Sequence, residues 1–249
     1  MLRELFDMPD HGAHLTFKGG TSLSKAWGLI DRFSEDIDLT IDRDALGFGG
    51  DQGPEAATSR SEQQRRLQRL KEACRNVIAE QIAPALNARL TEILSAGEVW
   101  TLKTDDDDPD GQTWLFAYPC VSTTAALGYV RPVIKLEFGA RSDPWPAGLR
   151  QVTSFVAEQF PTLFDSRDLT VRALLPERTF WEKVMLLHEE NLRPQDKIRQ
   201  PRLARHYYDV WRLIESGVAA RAAADMTLFE QVAAHRKVYF RRGWVNYDT

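Results

Sequence analysis

The chain has 249 residues, 43 % of them hydrophobic and 27 % charged, which is enough apolar material for one large core or two small ones. No run approaches the ~18 consecutive apolar residues of a membrane-spanning helix. The start, Met1-Leu2-Arg3-Glu4, lacks the basic-then-apolar order of a secretory signal. The formal net charge of −4 conceals an asymmetry: residues 1–166 carry 17 Lys/Arg against 25 Asp/Glu, and residues 167–249 carry 15 against 11. Composition therefore argues against a chain that binds nucleic acid over its whole surface and assigns any basic patch to the last third. Cys74 and Cys120 fit no metal-ligand spacing and read as reduced thiols of a cytoplasmic protein.

In chain order, Leu15-Thr16-Phe17 reads as a short strand that stops at Gly19-Gly20. Thr21 to Leu29 has helical spacing, with Leu23, Ala26, Trp27 and Ile30 on one side. Ile37-Asp38-Leu39-Thr40-Ile41 alternates as a half-buried strand does. Residues 42–61 read as loop, and Glu62 to Leu94 as helix broken or kinked at Pro84. Val99–Leu102 and Trp114–Tyr118 form a hairpin around the acidic turn Asp105–Asp110, and Val130–Phe138 is a further strand. Residues 139–148 are loop, and 149–175 are ambiguous apart from a strand near Leu169-Thr170-Val171. Helices follow over Glu177–Glu190, Arg202–Ser216 and Asp225–Phe240. The predicted fold is α+β: a core over residues 1–166, with loop 42–61 and hairpin 99–118 as insertions, and a helical C-terminal domain over residues 167–249.

Chemistry concentrates first at Gly19-Gly20-Thr21-Ser22. Paired glycines let the backbone approach a ligand, and the start of the helix offers free N–H groups. Thr21 and Ser22 add hydroxyls, and Lys18 and Lys25 flank the loop with positive charge. The alternative is a plain turn in which Thr21 or Ser22 caps the helix. Asp36 and Asp38 follow some fifteen residues later. On a strand, alternate residues share a face. Two carboxylates held side by side repel unless a cation lies between them, and oxygen ligands suit Mg²⁺ or Mn²⁺ bridging triphosphate oxygens. Taken alone, the Asp-x-Asp pair is equally a solvated strand face; its spacing from the glycine loop is what makes it specific. Asp105–Asp108, by contrast, reads as a solvated turn.

The segment Lys18–Leu39, KGGTSLSKAWGLIDRFSEDIDL, resembles the G-[GS]-[ST]…D-x-D signature of polymerase-β-type nucleotidyltransferases. In detail it is similar to the AbiEii/AbiGii toxin family of type IV toxin–antitoxin (abortive infection) systems, with Arg32, Ser34, Glu35, Asp36, Ile37, Asp38 and Leu39 fitting position by position. The resemblance implies a polymerase-β-like core and an enzyme transferring nucleotides from a nucleoside triphosphate, with Asp36 and Asp38 as metal ligands. It implies a third acid on a neighbouring strand, for which Glu137 is the candidate because Ile134, Leu136 and Phe138 take the other face. It further implies that Lys183 contacts phosphate and that Asp209 orients it or serves as base. At Arg205-His206-Tyr207-Tyr208-Asp209, however, the chain has one acid where relatives often carry two, and a structural Lys183–Asp209 ion pair is the competing reading. His188 and His206 read as packing residues.

The implied acceptor is RNA, plausible at the tRNA 3′ end, so that translation is blocked; the implied partner is a cognate antitoxin. Two further readings remain open: transfer to a small hydroxyl compound, as in aminoglycoside nucleotidyltransferases, and a binding module that keeps the fold without turnover. The runs Arg193, Lys197, Arg199, Arg202, Arg205 and Arg236, Lys237, Arg241, Arg242 either form a basic RNA surface or are simply solvated. About seventeen residues precede the glycine pair, fewer than the resemblance leads one to expect, which suggests a missing N-terminal helix or an internal start.

Overall fold

Strict apolar alternation builds the middle of the molecule. In the computed structural model, which describes residues 1–34, 36–119, 132–164, 168–198 and 202–247, Leu15–Lys18 (β1), Asp36–Ile41 (β2) and Val133–Gly139 (β5) lie side by side. Glu35, Cys120, Val130 and Arg199, all named above, lie outside the described residues, as does the 166/167 divide. With Thr101–Thr104 (β3), Thr113–Ala117 (β4), Ala147–Thr153 (β6) and Asp168–Leu174 (β7) they form one mixed sheet in the order β3-β4-β5-β2-β1-β7-β6. The pairs β2/β5 and β1/β7 are parallel and the others antiparallel.

Leu15, Phe17, Ile37, Leu39, Ile41, Leu136 and Phe138 are buried. They join a core with Leu70, Cys74, Ile78, Ile82 and Leu86. The residues between them in sequence, Lys18, Asp36, Asp38, Lys135 and Glu137, fall on the opposite face by the pleat.

The helices are Leu2–Phe6 (α1), Gly19–Lys25 (α2), Arg60–Val77 (α3), Ala83–Ile93 (α4), Phe155–Gln159 (α5), Pro176–Asn191 (α6), Ala204–Glu215 (α7), Val218–Ala224 (α8) and Met226–Tyr239 (α9). Ser59 caps α3 by accepting from the Glu62 N–H at 3.2 Å. The break expected at Pro84 is a π-helical turn, Ile78–Ile82, after which Pro84 sits in the first turn of α4. The extra residue of the π turn gives the helix room for the proline ring, which cannot continue a regular α-helical ladder. Cys74 is a free thiol, and burial pushes its pKa up to about 12.

The sheet continues beyond residue 167: β7 lies between β1 and β6, and among the described residues only helices follow from Pro176. Strand β6 and helices α1, α5 and α8 are absent from the sequence reading. β6 is an edge strand whose Leu149, Arg150 and Gln151 are all exposed, so it carries no alternation to read. Helix α2 is the seam between the sheet and the later helices. Its Leu23, with Ile30 just beyond, packs against Phe180, Leu213, Val218 and Ala222 of α6, α7 and α8, which brings those helices over the charged end of the sheet.

Candidate active site

The chain enters α2 through Gly19 at φ +75°, a left-handed backbone conformation that side chains disfavour. A Cβ at Gly19 would land on the Asp38 carboxylate, and one at Gly20 would meet the Arg32 guanidinium at 2.6 Å and the Ser34 hydroxyl at 2.7 Å. Gly19 is therefore held to glycine by both its backbone and its approach to Asp38, while a side chain at Gly20 would have to displace Arg32 and Ser34. Thr21 donates its hydroxyl hydrogen bond to the Asp36 carbonyl at 2.5 Å, tying the first turn of α2 to the first residue of β2.

This corrects part of the expectation for the loop. Thr21 and Ser22 do not cap α2: the helix has no side-chain cap, Thr21 is bonded to the Asp36 backbone, and Ser22 is buried. Lys25 lies at the far end of the helix, its ammonium 2.6 Å from the centre of the Phe155 ring, and burial lowers its pKa. Of the loop residues, Gly19 borders the main cleft, together with Lys18.

Register aligns the acids. Lys18 pairs with Asp38 across β1/β2, Asp38 with Glu137 across β2/β5, and Asp36 with Lys135 one step along. Lys18, Asp38 and Glu137 thus form a rank across three adjacent strands. Lys18 donates to Ser142 at 3.0 Å, and Lys135 pairs with Glu137 at 2.8 Å. Burial raises the Asp38 pKa to about 6; the Lys18 charge opposes this, while the charges of Glu137 and Asp36 and a hydrogen bond with Glu137 push it further up. Carboxylates crowded in this way gain from a shared cation. Among the described residues, no group of three or more His, Cys, Asp or Glu side chains is close enough to hold a metal ion by itself. A cation here would take Asp36 and Asp38 and complete its oxygen shell from a ligand, the arrangement that Mg²⁺ commonly adopts on phosphates. The acidic turn behaves as expected: Asp108 accepts N–H bonds from Asp110, Gln112 and Thr113 at 3.0, 2.8 and 2.8 Å, while Asp105 reaches towards Lys135 at 3.7 Å.

On the helical side, Asp209 of α7 is fully buried. Arg32 grips both of its oxygens at 2.7 Å, and Lys183 of α6 adds a third contact at 2.9 Å. Burial alone would raise its pKa, but the Arg32 hydrogen bonds and the Lys183 charge outweigh burial and lower it. His206 Nδ1 lies 3.5 Å from the Lys183 ammonium, and burial, then Lys183 and Arg205, lower its pKa to about 4. Arg32 and His206 join the site, although the sequence reading gave Arg32 no role of its own and read His206 as a packing residue. Arg32 stood inside the quoted motif, and His206 lies three residues before Asp209, close to one helical turn.

A cleft of about 1020 Å³ opens between the Lys18–Gly19 corner and helices α3, α6, α7 and α9. Lys18, Arg60, Arg141, Lys183, Arg236, Arg241 and Arg242 line it against a single acid, Glu182. A second, smaller groove of about 410 Å³, lined by Arg32, Phe33, Ser34, Asp36, Arg202, Ala204 and Arg205, borders Asp36. The expected basic surface is only partly available. Arg193 is held by Glu190 at 2.7 Å, and Arg236 is bound to Glu189 through two contacts at 2.7 and 2.6 Å.

Comparison with known proteins gives the family and the fold. Residues 1–245 match the family model described as nucleotidyl transferase AbiEii toxin, type IV TA system. Among solved structures, the chain is similar to MenT4, a nucleotidyltransferase toxin from Mycobacterium tuberculosis H37Rv, with a TM-score of 0.53 and 19 % identity over 97 % of this chain and 64 % of that one. The chain thus spans less than two thirds of that structure's length, and at this identity the likeness is one of fold. No curated protein matches it.

Proposed function

The chain belongs to the AbiEii family of nucleotidyltransferase toxins of type IV toxin–antitoxin systems, and on that premise we propose that it transfers a nucleotide from a nucleoside triphosphate to an RNA 3′ end, such as that of tRNA, in a Mg²⁺-dependent reaction. The observation that carries the proposal is the rank Lys18–Asp38–Glu137, packed against side-chain-free Gly19 at the mouth of the basic cleft.

Each residue has a part that its surroundings support. Asp36 and Asp38 would hold the divalent cation, Mg²⁺ or Mn²⁺, which would neutralise charge on the phosphoryl oxygens. Lys18 and Lys183 draw the triphosphate into the cleft past the Gly19 backbone. The acceptor hydroxyl oxygen forms a bond to the α-phosphorus as the bond from that phosphorus to the β-phosphate oxygen breaks, and pyrophosphate leaves. The hydroxyl proton passes to Glu137, which is partly exposed beside Asp38. Asp209 is better suited to positioning than to proton transfer, because Arg32 and Lys183 already engage both of its oxygens.

A tRNA bearing an extra 3′ nucleotide cannot be charged, so translation and growth stop until an antitoxin encoded alongside counters the enzyme. No helix among the described residues is long and apolar enough to cross a membrane. Cytoplasmic action fits a reaction whose substrates are nucleoside triphosphates and tRNA. The direct test incubates the purified protein with each labelled triphosphate, Mg²⁺ and total tRNA, and in parallel with small hydroxyl acceptors such as aminoglycosides. The expected result is label on tRNA that disappears with Asp38→Asn. Label on the small acceptors alone would replace RNA as the substrate, and label on neither would remove the transferase reading.

A further inference from the structure

Two pockets border the charged face of the sheet, one at Lys18 and Gly19 and the other at Asp36, and one buried acid, Asp209, binds a lining residue of each. Lys183 lines the large cleft and Arg32 the small groove, and the two cations clasp the same Asp209 carboxylate from either side. Gly19 and Lys18, beside Asp38, open to the large cleft, whereas Asp36 opens to the small groove. A reaction that joins two substrates at one metal centre needs two approaches to it. The large cleft, with its surplus of lysine and arginine, has the charge for a triphosphate.

The small groove has a different chemistry. Phe33 stands 65 % exposed at its edge, so its ring face is accessible to a ligand. Around it lie the guanidinium-bearing residues Arg32, Arg202 and Arg205, with Arg205 exposed, and Ser34 and Asp36 complete the lining. An aromatic face flanked by arginines is how proteins hold unpaired bases and their phosphates. The groove's volume sits at the lower end for ligand pockets, so it suits one terminal nucleotide and not a folded duplex.

We propose that this groove is the acceptor site: the last nucleotide of a single-stranded RNA 3′ end stacks on Phe33, and Arg205 contacts its phosphate, which brings the terminal hydroxyl to Asp36. The inference rests on the nucleotidyl-transfer reading above. It adds that Asp209 is a positioning residue for both substrates at once, through Lys183 on one side and Arg32 on the other.

The test measures binding separately for each substrate, using the full chain. Fluorescence anisotropy follows a 5′-fluorescein single-stranded oligoribonucleotide with a free 3′ hydroxyl, and thermal protection by each of the four triphosphates with Mg²⁺ follows the nucleotide. Phe33→Ala should weaken RNA binding about tenfold and Phe33→Trp should restore it, since stacking carries the contact. Arg205→Ala should reduce the salt dependence by about one phosphate contact. Triphosphate protection should be unchanged in all three variants. Phe33 is exposed, so its replacement leaves the core untouched. Wild-type RNA affinity in Phe33→Ala would overturn the assignment, and so would loss of triphosphate protection in that variant, which would make the groove the nucleotide's own site. If the wild type binds the oligonucleotide at Phe33 but transfers nothing to it, the groove assignment stands and the transferase reading falls.

Discussion

The sheet side and the helix side of the site treat negative charge in opposite ways. Asp36, Asp38 and Glu137 are crowded on one sheet face, and the Asp38 pKa is driven up to about 6 by burial and by its acidic neighbours. Asp209, a helix away, is buried too, yet its pKa is lowered, because Arg32 and Lys183 satisfy it on both oxygens. An acid crowded by other acids is set up to receive a cation, and an acid that the fold saturates with cations is set up to hold other groups in place. Burial alone does not separate the two; the sign of the local charge does.

Replacing one acid on each side should therefore give opposite stability signatures. Asp38→Asn should lower nucleotide transfer by about three orders of magnitude, the scale of losing a central electrostatic contact in a transition state. Its midpoint in urea should stay the same or rise, because it relieves repulsion with Asp36 and Glu137. Asp209→Ala strands Arg32 and Lys183 without their counter-charge and should cost about 3 kcal/mol of unfolding free energy, as measured in the same urea titration. Equal destabilisation in the two variants would erase the distinction.

Acid sharpens the contrast on the helical side. Burial lowers the His235 pKa to about 4, with Asp143 opposing and Arg178 adding to the shift, and His206 is lowered to about 4 as well. Both imidazoles are thus neutral in the fold, while the unfolded chain takes up protons below its ordinary histidine pKa near 6.5. Their contribution is complete above that pH and is lost as pH falls towards 4, by an amount on the order of 2 kcal/mol for buried His235. Stability measured between pH 7 and 4.5 should fall less steeply in His235→Asn than in the wild type. The smallest effect is expected at Lys25→Met. Its ammonium lies on the Phe155 ring and away from the cleft, so transfer activity should remain within about twofold of wild type.

How much of this can be read from the sequence depends on the element. Strand β2 announces both its core face and its acids, because a period of two leaves one answer for where Asp36 and Asp38 point. Glu137 follows by the same rule, although its register against Asp38 is a tertiary fact. The glycine loop reads less well. Gly-Gly signals close approach, but the partner is the protein's own Asp38, Arg32 and Ser34, and Thr21 spends its hydroxyl on the backbone at Asp36. Lys25 looks adjacent to the loop in sequence, yet one and a half helical turns carry it to the other end of α2. The Arg32–Asp209 clasp joins residues 177 apart, beyond the reach of any local pattern. Edge strand β6, with three exposed residues in succession, carries no period at all.

The central claim is that the strand carboxylates form a cation site completed by a triphosphate. Mn²⁺ titration followed by electron paramagnetic resonance, with a triphosphate carrying a non-cleavable α,β bridge, tests it most directly. The account predicts that the wild type sequesters Mn²⁺ when the nucleotide is present and that Asp38→Asn, folded and equally stable, does not. Undiminished Mn²⁺ uptake by Asp38→Asn would contradict it.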